Sequence, residues 1–285
     1  MSELNIQKLN ELMKGLIFLE FVDEGGQKIV YKANFEDNIV AAKLLFEPTI
    51  RQIKRINREL ELLRKFKLPN IVKLVKVIET NYEGKVCLII LEEFIEGTTL
   101  KKHIKNNNIT PNLVISVADS ILSVLEELEK EKIVHRDIKP DNIMVNENKI
   151  TLLDFGIARD LTDNSITQDF EPIGPCTKSY AAPEQLINDK IHQDSRTDFF
   201  SLGIVLFEMI SGFNPFLGRD NPRDICVVTA IMNNDKHELF EFVEHNKFND
   251  KLNIICLKLM EPQPFKRYRR VDFIKKDIDE LRLLI

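Results

Sequence analysis

The chain has 285 residues, 44% hydrophobic and 30% charged, which excludes a disordered or low-complexity protein and allows one large domain or two small ones. Its net charge of −5 gives no reason to expect nucleic acid, and Cys87, Cys176, Cys226 and Cys256, far apart and without Cys-x-x-Cys spacing, fit neither a disulfide framework nor a zinc site. No basic segment followed by an apolar core opens the chain, and its longest apolar run, 199–210, is interrupted by Ser201 and Glu208, so a cytoplasmic protein without a membrane partner is expected.

In chain order, Leu4, Ile6, Leu9 and Leu12 give a weak helical signal in a short leader, 1–16. Residues 17–31 read as two strands about Glu24-Gly25-Gly26, which in isolation is a plain hairpin turn. Residues 38–46 alternate with period two, Val40, Ala42 and Leu44 on one face and Ile39, Ala41, Lys43 and Leu45 on the other. A lysine on such a strand is either an edge residue reaching for water or an anion ligand, and the strand alone does not decide between them. A helix over 49–66 follows Pro48, with Ile50, Ile53, Ile56, Leu60, Leu63 and Phe66 on one stripe. Glu59 borders that buried stripe and needs a cation.

Strands at 72–80 and 86–91 are joined by a turn at 81–84, and Gly97 marks a boundary between two parts of the chain. Thr110-Pro111 is a good helix start, followed by apolar residues at helical spacing from Val114 to Leu128. Residues 143–145 and 150–153 form a hairpin flanked by two polar loops, one with Asp137, Lys139 and Asn142 and the other with Asp154. Two carboxylates and an amide suit a hard divalent cation, and the lysine implies an anionic substrate. Asp198 opens a helix apolar almost all round, where an aspartate is more often a structural acceptor for buried N–H groups than a catalytic group. Helices follow around 223–233, 252–259 and 271–283, and the basic cluster 266–270 reads as a solvated face.

The run His135-Arg136-Asp137-Ile138-Lys139-Pro140-Asp141-Asn142, with Asp154-Phe155-Gly156 beyond it, resembles the catalytic and metal loops of eukaryotic-like serine/threonine protein kinases. The five fixed letters alone recur by chance about once in 10^6 trials. The resemblance covers about 17–285 and implies an α+β fold of two lobes: a small antiparallel sheet with one helix (17–96) and a larger, mainly helical lobe (97–285). It implies transfer of the γ-phosphoryl group of ATP, with Mg2+, to serine or threonine hydroxyls of protein substrates, with autophosphorylation. Asp137 would accept the hydroxyl proton, Lys139 would offset charge, Asn142 and Asp154 would hold magnesium, and Lys43, fixed by Glu59, would hold the α- and β-phosphates. Val22, Gly25, Val30, Ala41, Glu93, Phe94, Ile95 and Met144 would complete the nucleotide site.

Thr177 to Glu184 resembles the end of the family's activation segment. Glu184 is there expected to pair with Arg267, and Thr177 to contact Asp137 and Lys139. Arg136 implies a phosphate on that segment, with Thr167 favoured over Thr162 and Ser165, or else a carboxylate from Asp169 or Glu171 in its place. The chain departs from the pattern in two places. Of the three loop glycines only Gly25 is kept, Asp23 and Lys28 standing for the others, and Glu92 occupies the usually apolar position at the rear of the base pocket, where it is expected to pair with a neighbouring cation. The depleted loop is the one feature favouring the alternative, a nucleotide-binding pseudokinase acting as a scaffold.

Overall fold

A computed structural model of the chain describes residues 6–11, 14–25, 28–66, 68–147, 149–155, 158–161, 177–217, 224–236 and 243–285. They fall into two compact units, Met1–Glu96 and Gly97–Ile285.

In the first unit, α1 (Ile6–Leu9) precedes β1 (Leu16–Gly25), β2 (Lys28–Phe35) and β3 (Asn38–Phe46), then α2 (Ile50–Lys65), β4 (Leu74–Tyr82) and β5 (Lys85–Glu93). The strands form one antiparallel sheet in the order β1-β2-β3-β5-β4. Two hairpins close on two-residue turns with positive φ, Glu36-Asp37 and Glu83-Gly84, the geometry that matches strand twist. The second turn is tighter than the expected 81–84 loop because Asn81 Oδ1 accepts the Gly84 N–H at 2.8 Å, so the strands run on to Tyr82 and from Lys85.

Period-two alternation settles the faces. Val40, Ala42 and Leu44 are buried with Ile29, Tyr31, Ala33, Ile89 and Leu91, while Ala41 and Lys43 lie half-buried on the opposite side. Leu9, within the expected leader, is fully buried in the same cluster. Thr49 caps α2 in a reciprocal box with Gln52, which satisfies two otherwise open N–H groups. The apolar stripe of α2 is buried only from Ile56 onward. Ile50 and Ile53 are exposed, because the partners of this face, Leu45 and Ile90, meet Ile56 and Leu60.

The second unit opens with β6 (Thr98–Thr99), α3 (Leu100–Lys105) and α4 (Pro111–Lys130). Next come β7 (Ile133–Val134), β8 (Ile143–Asn146), β9 (Lys149–Leu152) and β10 (Arg159–Asp160), then α5 (Pro183–Leu186), α6 (Ser195–Ser211), α7 (Asp224–Asn233), α8 (Lys247–Leu259) and α9 (Val271–Arg282). Thr110 caps α4 with Pro111 in its first turn. Gly97, at φ 114°, lies so close to β8 that a Cβ would meet Val145 O at 2.2 Å; no side chain fits there. Helix α6 is buried almost all round, and at Gly203 a Cβ would sit 2.8 Å from Leu259 Cβ, so that glycine lets α6 and α8 pack closely. Among the described residues, no helix is long and apolar enough to cross a membrane.

The expected pair between Glu184 and Arg267 is bidentate, with Nη1 2.7 Å from Oε1 and Nη2 2.9 Å from Oε2. All five N–H donors of Arg267 are used. Besides the carboxylate they reach the carbonyls of Arg196, Pro262 and Glu261, and the guanidinium lies 4.9 Å over the Phe200 ring. Both residues are buried, so removing one partner strands a charge. Arg267→Ala is expected to lower the unfolding free energy by about 3–5 kcal/mol; urea denaturation measures it, and unchanged stability would contradict the buried-pair account.

Candidate active site

The loop from His135 to Asn142 is held by one buried carboxylate. Asp198, fully buried in the first turn of α6, accepts the N–H of His135 on Oδ2 and of Arg136 on Oδ1, both at 2.8 Å. This is the structural acceptor expected of it. Burial pushes the Asp198 carboxyl up to about 7, and the two N–H groups pull it back down. Arg136 has φ 69°, costly for a side chain of this size. Asp198 holds its N–H, and Gln185 Nε2 donates to its carbonyl at 2.8 Å, so the neighbours enforce that conformation.

His135 is wholly buried, its ring centroid 4.6 Å from that of Phe155. Its Nδ1 accepts the Asp137 N–H at 3.2 Å, which requires a neutral ring with its proton on Nε2. Burial lowers the ring's pKa to about 4 despite Asp137 and Asp154 nearby, so neutrality holds well below pH 7.

Asp137 is thereby set at the centre of a polar cluster. Oδ1 accepts from Thr177 Oγ1 at 2.7 Å and Oδ2 from Asn142 Nδ2 at 2.8 Å, with Lys139 Nζ 2.9 Å from Oδ2. Lys139 also donates to Thr177 Oγ1 at 2.7 Å, so Thr177 makes the contact expected of it. Asn142 spends its N–H groups on the Asp137 carbonyl and carboxylate, which turns its Oδ1 away from Asp137. The Leu153 N–H donates to Asn142 O at 2.8 Å, tying the two loops together one residue before Asp154, whose φ is 56°. The hairpin β8–β9 thus keeps an amide and a carboxylate on adjoining loops. Among the described residues, no group of three His, Cys, Asp or Glu side chains forms a metal cage. The Asn142 amide and the Asp154 carboxylate suit magnesium, which takes one or two carboxylates and completes its shell with waters and phosphate oxygens.

The segment behind Thr177 is anchored by contacts that sequence spacing does not reveal. Tyr180 OH donates to buried Glu208 Oε2 at 2.6 Å, Lys101 Nζ reaches Glu208 Oε1 at 2.6 Å, and Asn214 Nδ2 donates to Ser179 O at 2.7 Å. The one signal in the sequence is Glu208 itself, a carboxylate inside an otherwise apolar helix. Met144 lies half-buried in β8.

The candidate nucleotide residues of the first unit occupy one face and one edge of the sheet. Val30 pairs with Lys43 across β2 and β3, and Ala41 with Glu92 across β3 and β5, which puts Val30, Ala41, Lys43 and Glu92 on the same side. Val22 lies exposed at an irregularity in β1, and Gly25 ends that strand opposite Lys28. The Asp23 carboxylate accepts the next N–H, that of Glu24, at 2.9 Å. At the end of β5, Glu93 Oε1 accepts from Lys73 N, Phe94 lies under Lys32 Nζ at 4.6 Å, and Ile95 is half-buried.

Glu92 finds the neighbouring cation expected for it in Lys43, whose Nζ is 2.6 Å from Oε2, and Glu59 takes Lys28 Nζ at 3.2 Å. The reason is the sheet register: Lys43 and Glu92 are diagonal neighbours across β3 and β5. Gly26, Gly156, Thr162, Ser165, Thr167, Asp169 and Glu171 lie outside the described residues.

The structure thus brings together a carboxylate oriented by an amide and a hydroxyl and flanked by an ammonium. Residues 18–277 match the protein kinase domain family, and the chain belongs to that family. It is 32% identical over 275 residues to a probable serine/threonine-protein kinase of Clostridium perfringens, covering 93% of this chain and 38% of that protein. Against serine/threonine-protein kinase PrkC of Bacillus subtilis the identity is 32% over 91% of the chain and 39% of the relative. For PknB of Mycobacterium tuberculosis it is 31% over 79% and 35%. The chain therefore spans little more than a third of the length of the curated relatives it matches.

The two buried titrating groups act on stability with opposite sign. The folded pKa of His135, about 4, lies below its unfolded value near 6.5, so its contribution is full above 6.5 and is lost as pH falls towards 4. Asp198, raised to about 7, gains over the same interval. Relative to wild type, His135→Phe should therefore gain about 3 kcal/mol between pH 6.5 and 4. Urea midpoints across that range test this, and a pH-independent difference would contradict a buried neutral His135.

Proposed function

We propose that this chain transfers the γ-phosphoryl group of ATP to serine or threonine hydroxyls of protein substrates, itself among them, in a cytoplasmic signalling role. The observation that carries the reading is the setting of Asp137, with Asn142, Lys139 and Thr177 all within 3 Å of its carboxylate. Asp137 takes the proton of the attacking hydroxyl, whose oxygen bonds to the γ-phosphorus as the bond to the β-phosphate oxygen breaks and ADP leaves. Lys139, fixed between Asp137 and Thr177, offsets charge on the phosphoryl group in transit. The role of Thr177 in that bridge supports a serine or threonine acceptor. Lys43 contacts the α- and β-phosphates, and Glu93, Phe94 and Ile95 offer backbone groups to the base. Asn142 Oδ1 and Asp154 would hold magnesium, which when bound supplies charge neutralisation at the phosphate oxygens.

Incubation of the purified chain with labelled ATP, magnesium and a basic acceptor protein should yield phosphoserine and phosphothreonine. Asp137→Asn should lower turnover by about 10^2 to 10^4 while ATP binding is kept, because an amide cannot accept the hydroxyl proton. Wild-type turnover in that variant would overturn the role given to Asp137.

A further inference from the structure

Four charged side chains on the first unit are distributed in a way the kinase reading does not require. Lys28 on β2 and Lys43 on β3 share a face of the sheet, since Val30, two residues after Lys28, is the register partner of Lys43. On that face Glu59 and Glu92 are all but fully buried, at 1% exposure each. Lys28 Nζ is 3.2 Å from Glu59 Oε2, and Lys43 Nζ is 2.6 Å from Glu92 Oε2. The other oxygen of Glu92, Oε1, accepts no hydrogen bond among the described residues. The Glu92 charge is therefore compensated chiefly by Lys43. An anionic ligand that draws Lys43 away leaves a buried carboxylate uncompensated, which is costly.

We propose that Lys28, the residue standing in place of a loop glycine, is the positioning residue that ties α2 to the sheet through Glu59, and that Glu92 competes with nucleotide phosphates for Lys43. The first half depends only on the ion pairs. The second rests on the phosphoryl-transfer reading. In this arrangement the departures from the glycine pattern and at the rear of the base pocket each bring an ion pair of their own. Lys28 takes the carboxylate of α2, and the lysine of β3 takes the carboxylate of β5. Lys28 acts through α2 and touches no reacting atom.

The test is a set of double-mutant cycles on the full chain without nucleotide, read as thermal midpoints, followed by calorimetric titration with magnesium–ATP. Lys28→Met with Glu59→Gln, and Lys43→Met with Glu92→Gln, should each show coupling of at least about 3 °C. A larger coupling of Lys43 with Glu59 than of either pair would overturn the proposal. Glu92→Gln should tighten ATP binding about tenfold, as expected if a competing carboxylate worth about 1.4 kcal/mol is neutralised. Unchanged or weaker binding would overturn the competition. Lys28→Met should lower kcat about tenfold with less effect on KM for ATP, and Lys28→Arg should restore it; equal loss in both variants would reduce Lys28 to a packing residue. Because the cycles need no nucleotide, a chain that binds no ATP but shows both couplings would refute the kinase reading and the competition, leaving the Lys28 tether standing.

Discussion

The site depends first on the carboxylate of Asp198. The backbone of the His135–Asn142 loop turns through a left-handed residue, Arg136, a costly conformation that neighbouring contacts must hold. Asp198 accepts two successive N–H groups across the turn, and Gln185 grips the carbonyl of the same residue. The cost of burying this carboxylate is visible in its raised pKa. It is offset by hydrogen bonds that a charged acceptor makes stronger than a neutral one. The rest of the loop inherits its position from that turn: His135 accepts the N–H of Asp137, Asn142 and Thr177 orient the Asp137 carboxylate, and Lys139 bridges them.

Buried charge recurs through the molecule with the same logic. Glu184 and Arg267 form a bidentate pair, Thr197 Oγ1 also donates to Glu184, and the remaining guanidinium hydrogens go to backbone carbonyls. Glu208 is shared by Tyr180 and Lys101. Such pairs add little net stability compared with apolar packing, but each fails badly when one member is lost. The contacts of Tyr180 and Glu184 tie down the segment running from Thr177 through α5, whose Thr177 hydroxyl reaches Asp137. The Lys28–Glu59 and Lys43–Glu92 pairs obey the same rule on the sheet of the first unit.

Much of this was legible in the sequence because local chemistry dictated it. The period-two alternation of 38–46 put Val40, Ala42 and Leu44 in the core and left Lys43 on the other face. Thr110 announced its helix through capping, and Asp198, polar in an apolar helix, read as an acceptor. The ion-pair partners on the sheet were harder to read. Which carboxylate meets Lys43 depends on the diagonal register between β3 and β5, a long-range property that spacing along one strand does not encode. Ile50 and Ile53 belong to the apolar stripe of α2 by periodicity, yet the sheet meets the helix only from Ile56 onward. The Glu208 network joins residues more than a hundred positions apart, and only its odd carboxylate was visible beforehand.

The most direct measurement of the account is the behaviour of Asp198→Asn. An amide has one acceptor and one donor end, so it can accept only one of the two N–H groups that the carboxylate holds, and its NH2 would face the other. Among the described residues, the Asp198 carboxylate accepts from His135 and Arg136 and from none of the candidate nucleotide residues of the first unit. With steady-state turnover and calorimetric ATP affinity measured on the same folded preparation, the account predicts a loss of at least about 10^2 in kcat with ATP affinity retained. Wild-type turnover in Asp198→Asn would show that the loop stands without its buried carboxylate, and would contradict the account at its foundation.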